Sequence, residues 1–150
     1  MEDIVQMLLE DYELPVNGLH GPAHWARVSR TGLQLARATP GADQEVVHMF
    51  ALFHDSRRIN EDSDPDHGLR GAELARNLRG SHLIHLNDAQ FELLREACVH
   101  HTDGSTTTDP TIGCCWDADR LDLDRVGIEP EANYLSTAAG RAMCLAKFQS

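Results

Sequence analysis

Apolar residues recur at helical spacing along almost the whole chain, and no stretch shows the two-residue alternation of a half-buried strand. Ile4, Val5, Leu8 and Leu9 form a short helical stripe, which Pro15-Val16-Asn17-Gly18 breaks. A second helix is predicted from near His20, with Pro22 suited to its first turn. Its inner face reads His24, Val28 and Leu35, with Gly32 and Ala36, and Thr39-Pro40-Gly41 ends it. From Asp43 to His54, Val46, Val47, Met49, Phe50, Leu52 and Phe53 surround the helix on nearly every side, which predicts a central, buried position. Asn60 to Asp66 is an acidic loop, predicted to form a lid or mouth.

The helix that starts at His67 carries His67, Gly71, Leu74 and Leu78 on one face and closes at Arg79-Gly80. Asn87-Asp88 caps the next one. Phe91, Leu94, Ala97, Cys98 and His101 lie along one of its stripes, and Leu93, Ala97 and His100 along the adjoining stripe. Beyond the polar loop Thr102 to Pro110, a helix places Ile112, Cys115, Trp116, Asp119, Leu123 and Val126 on one face. A last helical region is predicted to begin at Glu129-Pro130 and to end with Ala142 to Phe148. The expected fold is all-α, a single compact helical domain over residues 1–150.

Composition narrows the class. A chain of 150 residues that is 41% hydrophobic suits one core. No apolar run approaches the ~18 residues that would span a membrane. The acidic start Met1-Glu2-Asp3-Ile4 lacks a secretory leader pattern, so the cytoplasm is the expected location. Cys98, Cys114, Cys115 and Cys144 form no Cys-x-x-Cys pair and are read as reduced, mostly buried thiols. The formal charge of −11 disfavours nucleic acid as a partner. A small phosphorylated substrate remains compatible, because bound cations can supply positive charge locally.

The candidate chemistry lies in the histidines, nine in number. His54-Asp55 ends the most apolar helix, and His24, His67, His100, His101 and Asp119 are its possible partners. Asp119 shares a stripe with Cys115, Trp116 and Leu123, where an unpaired carboxylate is costly, so it needs a cation or an arginine such as Arg27 or Arg70. Asp117 falls off that stripe and reads as an outer or surface group; His20, one turn before His24, is within reach of the site but reads first as a helix-start surface residue. The mixed nitrogen and oxygen set suits a divalent metal such as Mn, Fe, Co, Ni or Zn.

The order His24, then His54-Asp55, then Asp119 resembles the signature of the HD superfamily of metal-dependent phosphohydrolases. His24-Trp25-Ala26-Arg27-Val28 is similar to the opening segment of many members, and Asp117-Ala118-Asp119-Arg120-Leu121-Asp122 to the closing one. The likeness covers residues 20–126. It implies hydrolysis of a phosphomonoester or phosphodiester, nucleotide-like in character, by a metal-activated water, with Mg added to the possible ions. His24, His54, Asp55 and Asp119 would hold the first ion. Relatives with two metals carry further histidines, which match His67 and the pair His100-His101 here; Asp55 would then bridge the ions and be the central catalytic group. Adjacent residues on a helix face about 100° apart, so His100 is the first of the pair expected to stand outside. Arg58 and Arg27 are the candidates for substrate binding. The Gly-Tyr-Pro motif of HD-GYP enzymes is absent, and Arg57-Arg58 stands where many two-metal members have a lysine. The alternatives are a metal- or nucleotide-binding module without catalysis, a di-iron oxygenase on the same fold, and a nuclease.

Overall fold

The computed structural model describes residues 2–149. Seven α-helices account for most of them, and no strand occurs among the described residues: α1 (Glu2–Glu10), α2 (Pro22–Arg37), α3 (Gln44–Phe53), α4 (His67–Asn77), α5 (Asp88–His100), α6 (Pro110–Arg120) and α7 (Ala138–Phe148). No helix among them is long and apolar enough to cross a membrane.

Helix α3 is the centre. It packs against α2, α4, α5 and α6, and every residue from Val46 to Phe53 except His48 is buried. Contact on all sides is what its all-round apolar surface requires. The ends are set locally. The Asp43 side chain accepts from the Val46 amide at the start of α3, and Asp109 accepts from Ile112 at the start of α6. Asn87 and Gln90 satisfy each other's backbone amides in a capping box at α5. Pro22 and Pro110 occupy first turns, where the missing N–H costs nothing.

Glycines allow close helix crossings at two points that matter for the site. A Cβ at Gly32 would lie 2.6 Å from Val47 Cγ1 and 3.4 Å from Ala118 Cβ, so α2 could not approach α3 and α6 as it does. On α4, Gly68 rests on the Cys98 carbonyl of α5 and Gly71 on the Phe53 carbonyl of α3. This pair seats the N-terminal turn of α4 against the C-terminal ends of both neighbours.

Two predicted elements differ. The helix expected to run through Val126 stops at Arg120, and Leu123–Val126 is a separate 3-10 turn closed by Gly127 at φ 83°. Leu123 therefore loses the shared face, and Val126 is exposed. The break turns Asp122 toward α2, where it bonds Arg27 and His24. The last helical region does not begin at Glu129-Pro130. A 3-10 turn covers Ala132–Tyr134, and α7 starts only after Thr137, whose hydroxyl accepts from the Gly140 amide. All four cysteines are buried and free.

Candidate metal centre

Five helices bring their ends together at one place. His24 comes from the first turns of α2, His54 caps the C-terminus of α3, and Asp55 follows it. His67 opens α4, His101 caps the C-terminus of α5, and Asp119 lies in the last turn of α6. Three helix C-termini thus face the cluster against two N-termini, a net partial negative charge that favours a cation.

Each of the four rings is oriented at Nδ1. His54 Nδ1 donates to the Phe50 and Ala51 carbonyls, both at 3.1 Å, and His101 Nδ1 to the Cys98 carbonyl at 2.7 Å. His67 Nδ1 donates to the Asp64 carbonyl at 2.5 Å, and His24 Nδ1 to Asp122 Oδ2 at 2.7 Å. The acceptors hold the proton of the neutral ring at Nδ1, so each Nε2 is the atom directed inward and, once deprotonated, presents a lone pair there. His24 Nε2 and His54 Nε2 face each other at 3.0 Å, and His67 Nε2 and His101 Nε2 at 2.9 Å. Two lone pairs at such distances need a proton or a metal ion between them.

The carboxylates complete two groups. Asp55 Oδ2 lies 3.2 Å from His24 Nε2 and 3.3 Å from His54 Nε2, and Asp119 Oδ1 lies 3.2 and 3.4 Å from the same atoms. Ligands about 2.1 Å from one ion and about 90–109° apart stand about 3.0–3.4 Å from each other, so the donor set has the right spacing for a cation. Asp55 Oδ1 turns the other way, 3.0 Å from His67 Nε2 and 3.6 Å from His101 Nε2. One carboxylate thus serves two histidine pairs through different oxygens.

The electrostatics agree. Burial alone would depress the His54 and His24 rings. The charges of Asp55 and Asp119 overcome it for His54, raised to about 10. Bonds to Asp119, Asp122 and Asp55 do so for His24, raised to about 9. Burial pushes the Asp55 and Asp119 carboxyls up, but the imidazole partners, His54 first, hold both well below their ordinary value. The field calls for positive charge in the cavity, which a divalent ion provides.

Other candidates fall differently. His100 is half exposed and donates from Nδ1 to Asp103 at 2.7 Å, outside both groups. The angular step from His101 carries it round to the solvent face. Arg27 is paired with Asp122 and Arg70 with Asp64, so neither neutralises Asp119. Arg58 donates to the carbonyls of Asn60, Glu61 and Asp62, and its Nη1 stands 3.3 Å from both ring nitrogens of His67. The predicted lid is therefore folded around the Arg58 guanidinium and pinned by Asp64, which accepts from the Ile59 amide.

The expectation for Asp117 as an outer or surface group needs correction. It is fully buried and accepts from the Ser136 and Thr137 amides and the Thr137 hydroxyl, fastening the start of α7 to α6. His20 is not a surface residue either. It is 8% exposed, with Nδ1 3.5 Å from Asp55 Oδ2 and Nε2 donating to the Glu61 carbonyl. Asp122, which orients His24, and Arg125, which reaches His20, gain those roles from the fold. The signals available for two of them were spacings, His20 four before His24 and Asp122 three after Asp119.

No family model matches the chain, and no curated protein matches it. Among solved structures, it is similar to the crystal structure of a predicted HD superfamily hydrolase from an uncultured Thermotogales bacterium. The likeness has a TM-score of 0.75 at 23% identity and covers 98% of this chain and 84% of that one. The all-α fold of that structure is thus the fold of this chain.

Proposed function

We propose that the chain is a metal-dependent phosphohydrolase that acts in the cytoplasm on a small phosphomonoester or phosphodiester of nucleotide-like character. One observation carries the reading: four Nδ1-anchored imidazoles, on four helices, direct Nε2 at the two oxygens of Asp55. His24, His54, Asp55 and Asp119 would hold one divalent ion, and Asp55, His67 and His101 a second. When bound, such ions supply Lewis acidity toward a phosphoryl oxygen and toward water.

The protein's own groups do the rest. Asp55 keeps the two histidine pairs in register, because each of its oxygens faces a different pair. Phe50 stacks on His54 at 4.8 Å between ring centres and meets His101 edge-on at 5.8 Å, which excludes water from behind the site. The Asp119 side chain, 17% exposed where those of His24, His54 and Asp55 are closed off, marks the side from which a phosphoester can approach.

The test is metal analysis of the purified protein alongside hydrolysis of p-nitrophenyl phosphate and bis-p-nitrophenyl phosphate. Activity should vanish with chelator and return with a divalent metal. His67→Ala should lose about one equivalent of metal, and His54→Ala more. A metal-loaded protein that cleaves neither ester nor a panel of nucleotides would refute the reading.

A further inference from the structure

Within the phosphohydrolase reading, we propose that Arg125 is the anion-recognition group of this site, holding an oxygen of the substrate's phosphoryl group. The cluster is ringed by Asp55, Asp119 and Asp122, so an anionic substrate needs a cationic side chain at its edge. Three arginines stand close enough to consider, and two are committed elsewhere. Arg27 Nε donates to both oxygens of Asp122, at 2.9 and 3.1 Å, which cancels its charge. Arg58 is turned onto the 60–62 loop, where Nε and Nη2 donate to the Asn60, Glu61 and Asp62 carbonyls, and its Nη1 stands 3.9 Å from Asp55 Oδ1, a carboxylate of the cluster itself that balances its charge.

Arg125 is held differently. Its Nε donates to the Leu19 carbonyl and its Nη1 to the Asp122 carbonyl, both at 2.8 Å. These neutral acceptors orient the guanidinium without balancing its charge. Asp122 Oδ2 is 3.9 Å away and already accepts from His24 and Arg27. The remaining nitrogen, Nη2, makes only a long contact of 3.4 Å with His20 Nδ1. His20 itself donates to Glu61 through Nε2 and stands 3.5 Å from Asp55 Oδ2, so Nη2 points along the wall of the cluster. The side chain is only 11% exposed, which keeps its field unscreened. A phosphoryl oxygen would replace a long contact to an imidazole nitrogen by a short bond to an anionic acceptor, the stronger kind.

The experiment uses the metal-loaded full chain with inorganic phosphate as the probe, titrated calorimetrically into wild type, Arg125→Gln and Arg125→Lys. Metal content and melting temperature are measured on each. Arg125→Gln should bind phosphate about tenfold or more weakly at unchanged metal content, with KM for p-nitrophenyl phosphate rising by a similar factor. Arg125→Lys, which keeps the charge, should fall between the two and carries the comparison if the glutamine variant does not fold. Phosphate binding by Arg125→Gln equal to wild type overturns this inference and leaves the phosphohydrolase reading standing. Parallel loss of metal and phosphate in both variants assigns Arg125 a structural role and also overturns it. A wild type that holds metal but neither binds phosphate nor cleaves a phosphoester overturns both.

Discussion

Placing a methyl group at Gly71 tests how α4 is held. Gly71 lies one turn beyond His67 on α4, and a Cβ there would overlap the Phe53 carbonyl oxygen and sit 3.3 Å from the Phe53 carbonyl carbon. The atoms it meets are backbone, so no rotamer change can make room. Either α4 or the end of α3 must shift, and that end of α3 carries His54. Overpacking of this kind costs about 1–3 kcal/mol, against which alanine's better helix propensity restores about 0.5–1 kcal/mol. At the middle of these ranges the net loss is about 1.25 kcal/mol, or a fall in melting temperature of about 2–5 °C for a chain of this size. The measurement is thermal unfolding by far-UV circular dichroism with chelator present, so that metal linkage does not enter. Gly80→Ala is the control, since nothing lies within 4 Å of a Cβ there, and it should melt at or slightly above wild type. If Gly71→Ala melts as high as Gly80→Ala, close backbone approach does not hold α4 in place.

Asp117→Asn should lower stability by about 1–3 kcal/mol, because an amide places a donor against the Ser136 and Thr137 donors. Its metal content should match wild type, and a change there would mean that Asp117 serves the site after all. Asp122→Asn weakens the acceptor that orients His24 and frees Arg27; competition with a chromophoric chelator should show metal affinity reduced about 10–100-fold. Unchanged affinity would show that His24 is oriented without it. Removing metal from the wild type should lower its melting point, since an ion present at about a hundredfold over its dissociation constant adds about 2.7 kcal/mol; equal melts after confirmed metal loss would contradict a cation at the site.

The local pattern carried the helices and the order of the chemical groups. Apolar periodicity says which residues share a face, and the all-round apolar run of 46–53 can only be buried on all sides, as α3 is. Caps at Asp43, Asn87 and Asp109 are equally local, because each is a side chain bonding to an amide three residues on. Periodicity fixes relative angles, not the absolute rotation of a helix. It separated His100 from His101 by about 100°, while the packing of α5 on α3 and α4 put His101 at Asp55 and left His100 in solvent. The same holds for Asp117 and Asp119, which leave α6 on different sides, one toward α7 and the other toward His24 and His54. Partner choice over long separations was decided by the tertiary structure alone. Arg27 met Asp122 and Arg125 met Leu19 and His20 across about a hundred residues of chain, because the break after α6 turned that segment back onto the start of α2. No spacing in the sequence encodes that turn, which sets the Asp122 carboxylate against His24 and Arg27 in the first turns of α2.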